Sequence, residues 1–353
     1  MIRESIAKLV DRENLSYEDS SIIMTEIMSG NATNAQIAAF LTSLRMKGET
    51  VDEVAGLAEV MRETSRHIHP RVVGRLLDTC GTGGDGAKTF NVSTAAAFVV
   101  AGAGIAVAKH GNRSVTSRCG SADVLERLGF NLSIAPERVE RAIEHVGIGF
   151  MFAPAFHPAM KYAIGPRKEI GVRTVFNVLG PLTNPASANA QLLGVYDKKL
   201  VEPVTYVLKK LGCEEAMVVH GLDGLDEIST LGRTAIAWLR EGEVASFEIV
   251  PEDFGAQRTT ADALRVSSPE ESAEAVFKIL FGCCVASDSR LEIVLVNSAA
   301  GIIVGGKAED FTQGMELARK SINSGAAYEK LKALVLASGG ELSRLEELES
   351  KYV

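Results

Sequence analysis

Three short segments of the chain concentrate residues suited to holding a charged ligand. The first, DTCGTGGDG at 78–86, places a glycine turn after an apolar run. Successive backbone N–H groups in such a turn form a cradle for an anion, and Asp85 fits beside a metal-bound or cationic partner. Gly81, Gly83 and Gly86 formally satisfy GxGxxG, but the next acid after Asp85 is Asp123, too far on to hold a dinucleotide ribose. No GxxxxGK[ST] occurs, so a Walker nucleotide site is equally unsupported. The turn leads into TFNVST at 89–94, a hydroxyl and amide cluster before the apolar stretch 95–103. Side-chain and helix N-terminal donors there suit phosphate, although a tight turn followed by an ordinary Ser/Thr cap is the structural alternative.

The second segment, KHGNRSVTSRCGS at 109–121, follows another apolar run. Lys88, Lys109, Arg113 and Arg118 are basic, and no acid falls between Gly86 and Ala122. Glycines and small hydroxyls among the charges favour an anion site over a solvated basic loop. The third, HGLDGLDEIS at 220–229, carries the adjacent carboxylates Asp226 and Glu227. Mg²⁺ is commonly held by one or two carboxylates while substrate phosphates and waters complete its shell. Alone, an Asp-Glu pair is a common surface dipeptide, and His220 alone is a satisfied strand-end histidine more often than a base.

These segments need a scaffold that brings loop ends together. Residues 1–67 read as four short helices, with Ser16 as an N-cap and capping boxes at Thr33 with Gln36 and Thr50 with Glu53. His69-Pro70 interrupts the helical pattern. Beyond it, apolar runs at 75–79, 105–108, 149–152, 193–196 and 217–220 alternate with helical stretches such as 122–128 and 200–211, which predicts a mostly parallel central sheet covered by helices. In such sheets ligands gather outside the carboxyl ends of strands, where all three loops lie. Runs at 235–240 and 244–250 around Glu241-Gly242 predict an antiparallel hairpin, and helices are predicted at 268–280, 288–304, 309–323 and 328–336. The expected fold class is α/β with a small all-helical N-terminal domain: residues 1–70, joined in space by part of 165–190, then an α/β domain over 74–353.

Composition bounds the function. The 353 residues carry 37 basic and 45 acidic side chains, a net charge of −8, and are 46% hydrophobic. That suits two domains with real cores and disfavours a dedicated nucleic-acid binder, so a bound polyanion needs a local site. Five cysteines form no CxxC pair and are read as free thiols of a reducing interior. No signal-like or membrane-length apolar segment is present, which predicts a soluble cytoplasmic protein.

Taken together, the motifs resemble the anthranilate phosphoribosyltransferase family, part of the nucleoside phosphorylase/phosphoribosyltransferase superfamily. The resemblance rests on GTGGDG at 81–86, TFNVST at 89–94, KHGNRSVTSRCGSADVLERLG at 109–129, HPAMKY at 157–162, RTVFNVLGPLTNP at 173–185 and HGLDGLDEIS at 220–229, in the family's order and over nearly the whole chain. It implies transfer of the phosphoribosyl group of 5-phosphoribosyl 1-pyrophosphate to the amine of anthranilate, a step of tryptophan biosynthesis, with Mg²⁺ at two ions per subunit. It implies phosphoribosyl pyrophosphate contacts from Gly81, Thr82, Gly84, Asp85, Thr89, Asn91, Val92, Ser93 and Thr94. The same substrate is matched by Lys109, His110, Gly111, Asn112, Arg113, Ser114, Val115, Thr116, Ser117 and Ser121. Gly81, Asn112, His157, Arg167 and Gly180 match positions around anthranilate, and Ser93, Asp226 and Glu227 match the metal ligands. No acid or base is assigned, and His110 and His157 are left as candidate orienting groups. A homodimer through the helical domain is implied. Two domains also suit the reaction, since closing a hinge about 69–75 and 165–190 would bring the substrates together and exclude competing water. A pyrimidine nucleoside phosphorylase of the same architecture is the alternative enzyme, against which the GTGGD and KHGNRS blocks argue. A silent binder of nucleic acid or of a phosphorylated metabolite would be marked by loss of the Asp-Glu pair and a basic surface, and neither is seen.

Overall fold

The computed structural model describes residues 1–83, 89–114, 119–285 and 287–352. Helices α1 (Ile2–Val10), α2 (Tyr17–Met28), α3 (Asn34–Lys47) and α4 (Val51–Glu63) form the N-terminal bundle. Their starts are where the caps predict: Ser16 accepts the Asp19 N–H, and both capping boxes are complete. Glu53 also reaches outside its box. Fully buried, its carboxylate accepts the Leu15 N–H at 2.9 Å and the Lys47 ammonium at 2.9 Å, so one charge ties α4 to α3 and to the loop before α2. Burial of that charge is tolerated because hydrogen bonds replace its water.

The seven strands are β1 (Leu76–Gly81), β2 (Ala106–Gly111), β3 (Ile148–Phe152), β4 (Ala190–Gly194), β5 (Glu215–Gly221), β6 (Thr234–Arg240) and β7 (Glu243–Ile249), in the spatial order β3-β2-β1-β4-β5-β6-β7. The first five are parallel and the last two antiparallel. Glu241 and Gly242 turn the final hairpin with φ of 53° and 79°, both left-handed as a two-residue type I′ loop requires. Strand bounds shift from the sequence expectation most at β1, β2, β4 and β5: the strand expected at 105–108 runs on to Gly111, so Lys109 and His110 lie in β2 itself, and the one expected at 217–220 is Glu215–Gly221. The strand expected at 75–79 runs on to Gly81, and the one expected at 193–196 is Ala190–Gly194. Gln191 masks the start of β4 by its polarity, but inside the fold its amide donates to the Pro181 carbonyl at 2.6 Å and to Cys80 Sγ at 3.0 Å. Helices at Pro136–Val146, Lys161–Ile170, Phe176–Leu182 and Ser343–Tyr352 lie outside the sequence expectation.

One departure from regular pairing shapes the centre of the sheet. β1 pairs with β4 as far as Gly81↔Gly194, and β2 with β3 as far as Gly111↔Phe152, but β1 and β2 pair only at Leu76↔Ala106 and Leu77↔Val107. Beyond that point side chains replace the ladder. Asp78 accepts the His110 N–H at 3.2 Å, Asn184 donates to the Ala108 carbonyl at 2.8 Å, and the Lys109 ammonium donates to the Thr79 carbonyl. The strands therefore part at their carboxyl ends without stranding these buried backbone groups.

Two apolar cores result. One joins helix α5 (Val92–Gly102), the helices Pro269–Phe281 and Ser289–Val304, and one side of the sheet. The other runs from α1–α4 through Ala163, Val175, Phe176 and Leu179 to the helix Val201–Lys210 and the opposite side of β4, β5 and β6. The bundle therefore shares a core with the sheet. Arg62 of α4 reinforces the junction: its guanidinium donates to the Leu182 and Leu211 carbonyls, at 2.7 and 3.2 Å.

Candidate functional site

Four of the five parallel strands, β1, β2, β4 and β5, end on glycine: Gly81, Gly111, Gly194 and Gly221. The absent side chains let a loop lie across the strand ends. A Cβ on Gly81 would stand 2.6 Å from Asp226 Oδ2, and one on Gly194 would overlap the Asp226 backbone carbonyl. Above these ends opens a cleft of about 320 Å³. The glycine turn and the start of α5 form one wall, the loop after β2 another, and Arg167, Phe176, Asn177, Gly180 and Pro181 a third.

The carboxylate pair closes the floor. Asp226 Oδ2 accepts the Gly83 N–H at 3.0 Å, and Glu227 Oε1 accepts the Ser93 N–H at 3.2 Å in the first turn of α5. Burial raises the Asp226 pKa, opposed by that Gly83 bond. Among the described residues no cluster of three or more His, Cys, Asp or Glu is able to cage a metal on its own. Two carboxylates with the Ser93 hydroxyl nearby form an all-oxygen donor set, which fits a hard cation such as Mg²⁺ whose shell is completed by ligand phosphates and water.

On the same side, Lys109 is almost wholly buried, its ammonium donating to the Thr79 carbonyl and lying 3.4 Å from Ser93 Oγ. Burial lowers its pKa, countered by the neighbouring Asp78 and Glu227 carboxylates. Asp78, entirely buried, is pushed up to about 6 by burial, and the Lys109 charge is the main opposing influence. Arg113 does not stand free for a phosphate. It pairs with Asp123 at 2.9 Å and Glu126 at 2.8 Å, acids just beyond the acid-free stretch.

The opposite wall differs in character. Arg167 places its guanidinium 4.8 Å over the Phe176 ring, makes no ion pair among the described residues, and has its pKa lowered by burial alone. A half-desolvated cation stacked on an aromatic ring suits a planar carboxylate ligand. His110 and His157 lie behind, ring centroids 5.0 Å apart. Burial drives His110 down to about 3, helped by His157, and drives His157 down to about 4, while the Gly180 and Thr183 carbonyls pull the other way. Both rings are therefore neutral, and Nε2 of each is buried with no partner among the described residues.

Of the residues singled out in the sequence, the cleft brings together Gly81, Thr82, Thr89, Asn91, Val92, Ser93, Lys109, His110, Gly111, Asn112, Arg113, Ser114, Ser121, Arg167, Gly180, Asp226 and Glu227. His157 stands one residue back, behind His110, and Thr94 does not line the cleft, its hydroxyl buried without a partner among the described residues. Gly84, Asp85, Val115, Thr116 and Ser117 lie outside the described residues, as do Lys88 and Arg118. Sequence reasoning assigned no role to Asp78, Asn184, Phe176, Asn177 and Pro181. Asp78 stands out as a lone charge inside the apolar run of β1, and the other four fall inside the 173–185 block.

The family model described as "Glycosyl transferase family, a/b domain" matches residues 73–328, and "Glycosyl transferase family, helical bundle domain" matches 3–65. The chain is 52% identical to the anthranilate phosphoribosyltransferase of Methanocorpusculum labreanum, with 97% of this chain and 99% of the relative covered. It is 51% identical to that of Geobacter sulfurreducens, covering 95% and 99%. The fold is similar to the crystal structure of the Thermus thermophilus enzyme, with TM-score 0.89 and 40% identity over 95% of this chain and 99% of that one. It is also similar to the Saccharomyces cerevisiae enzyme in complex with phosphoribosyl pyrophosphate and Mg, with TM-score 0.87 and 28% identity over 96% and 98%.

Proposed function

The chain belongs to the anthranilate phosphoribosyltransferase family, and we propose that its cleft seats the two substrates of that reaction on facing walls. The enzyme transfers the phosphoribosyl group of 5-phosphoribosyl 1-pyrophosphate to the amine of anthranilate in tryptophan biosynthesis, with Mg²⁺. The observation that carries the placement is the contrast between the walls. Lys109, the Ser93 hydroxyl and the carboxylate pair gather at the glycine strand ends, and Arg167, without an acid partner among the described residues, stacks on Phe176 elsewhere in the same lining.

In the reaction the bond from ribose C1 to pyrophosphate breaks, and the amine nitrogen forms the new C–N bond and then loses a proton. Positive charge develops on C1 as the leaving group departs, as in glycosyl transfer generally. The demand on the protein is to hold the leaving diphosphate and aim the amine. Gly81 leaves room at the strand end, the Thr82 and Ser93 hydroxyls on the cleft lining are the donors for the phosphates, and Lys109 adds a buried positive charge beneath them. Asp226, Glu227 and Ser93 would hold Mg²⁺, at two ions per subunit, and the metal would supply charge neutralisation for the departing diphosphate. Arg167 pairs with the anthranilate carboxylate. The neutral His110, aligned by the Gly180 carbonyl and backed by His157, lines the anthranilate side without acting as an acid, and an aromatic amine already carries a free lone pair. Asn112 and Ser121 sit between the walls. Gly84, Asp85, Val115, Thr116 and Ser117 belong to the same proposal through their place in the two loops of the sequence.

We assign the chain to a homodimer and to the cytoplasm as well. Among the exposed large hydrophobic residues, Met1, Val10, Ile22 and Met46 lie on the helical bundle, and Tyr162, Ile164 and Val172 on or beside the helix Lys161–Ile170 that packs against it, a surface suited to a second copy. No helix among the described residues is long and apolar enough to cross a membrane. Domain boundaries at about 70–74, with part of 165–190 completing the bundle, accord with the second core.

Replacing Asp226→Asn together with Glu227→Gln should lower Mg²⁺-dependent turnover by more than about 100-fold while anthranilate affinity changes little. Arg167→Ala should do the reverse, raising the KM for anthranilate at least about tenfold with the phosphoribosyl pyrophosphate KM unmoved. Steady-state kinetics with each substrate varied in turn checks both, and an Arg167 effect confined to phosphoribosyl pyrophosphate would place that residue on the other substrate.

A further inference from the structure

The helix Ser289–Val304 reads SRLEIVLVNSAAGIIV, and every residue from Ile293 to Val304 is buried. Asn297 stands in the middle of it, completely inaccessible to solvent. Asparagine is a poorer helix former than the leucine or alanine that would suit an apolar interior, and a buried amide is costly unless its hydrogen bonds are made. Here all three contacts go to backbone. Asn297 Oδ1 accepts the Ile228 N–H at 2.9 Å, and Nδ2 donates to the Ile228 carbonyl at 3.0 Å and to the Ile293 carbonyl at 2.8 Å.

Ile228 follows Glu227 directly, so one side chain holds both peptide planes that flank it, as a neighbouring strand would. The remaining fixings of this loop lie on either side. Ahead of Ile228, the carboxylates meet the Gly83 and Ser93 N–H groups. Behind it, Ser229 donates its hydroxyl to Asp223 and its N–H to Thr234 Oγ1. The helix itself packs under β1, β4 and β5, the strands whose ends form the cleft floor.

We propose that Asn297 is a positioning residue for the Asp226–Glu227 pair: it fixes the peptide after Glu227 from beneath, so that both carboxylates face the cation site before any ligand arrives. The proposal rests on the assignment of that pair to Mg²⁺. Groups that orient metal ligands typically change metal affinity about ten- to hundredfold when removed, without touching the ion.

The test uses the full chain with Asn297→Ala and Asn297→Ser, and Asp226→Asn in parallel. Mn²⁺ binding in the presence of phosphoribosyl pyrophosphate is followed by electron paramagnetic resonance, and anthranilate KM is measured separately. The Asn297 variants should bind Mn²⁺ at least about tenfold more weakly and keep anthranilate KM within about twofold. Wild-type Mn²⁺ affinity in folded Asn297 variants, with loss in Asp226→Asn, overturns the positioning role alone. Wild-type affinity in Asp226→Asn overturns the metal assignment and the proposal with it. Equal losses for Mn²⁺ and anthranilate reduce Asn297 to a packing residue and also overturn it. A measurement on unmodified protein covers variants that fail to fold: the Ile228 amide should exchange hydrogen slowly with no ligand or metal present, and rapid exchange contradicts a preset loop.

Discussion

His110 and His157 illustrate how far single residues obey their surroundings rather than their names. Both lie in a setting that refuses charge, and His157 is held down to about 4. A base whose folded pKa is depressed stabilises the protein fully above its unfolded value, near 6.5, and that contribution is lost as pH falls toward the folded value. For His157 the depression corresponds to roughly 3 kcal/mol. Asp78 works in the opposite sense. Its folded pKa, raised to about 6 from 3.8, favours the fold most at low pH and loses that contribution as pH rises through 6. Replacing His157→Gln should therefore flatten the decline of denaturant stability between pH 6.5 and 4, and an unchanged slope would mean the imidazole is charged in the fold. Sequence marks His157 by its family block and Lys109 by its charge, since both facts are local. Nothing local says that Arg113 is consumed by Asp123 and Glu126, or that Thr94 is absent from the cleft lining; side-chain direction depends on packing that only the assembled elements supply.

At the scale of elements, the informative feature is the row of glycines closing β1, β2, β4 and β5. The GTGG turn is visible as a run of glycines, but Gly194 is not, because its requirement comes from Asp226, a residue in a distant loop. Introducing Gly194→Ala would drive a methyl group into the Asp226 backbone carbonyl. We expect a loss of about 1–3 kcal/mol in stability by denaturant titration, from overpacking at a rigid strand end, together with a disproportionate fall in Mg²⁺-dependent turnover as the carboxylate loop lifts. Retention of full Mg²⁺ dependence would show that the loop tolerates displacement. The same reasoning explains why helix starts are legible in the sequence and β4 is not. Caps such as Thr33 with Gln36 and Thr50 with Glu53 are decided within one helical turn, whereas Gln191 qualifies as a strand residue only because Pro181 and Cys80 wait to receive its amide.

At the scale of the whole molecule, the proposed placement lets a protein of net charge −8 host a polyanion by gathering donors at one set of strand ends and carrying a cation on two carboxylates. The alternation of apolar runs discloses the α/β class and the mostly parallel sheet. It does not disclose the parting of β1 from β2, which depends on Asp78, Lys109 and Asn184 standing in for ladder bonds. The second core joins bundle and sheet, and Arg62 ties α4 to the Leu182 and Leu211 carbonyls, so the proposed closure about 69–75 and 165–190 has to keep that core packed. Small-angle scattering should accordingly show slight compaction when Mg²⁺ and both substrates are bound; no compaction would argue that the cleft works without closing.

Anthranilate fluorescence tests the central claim most directly. With the purified chain, anthranilate and phosphoribosyl pyrophosphate, the signal should fall on addition of Mg²⁺, with one pyrophosphate released for each anthranilate consumed, and should hold steady without the metal. A steady signal under the complete conditions, or a fall that needs no phosphoribosyl pyrophosphate, would contradict it.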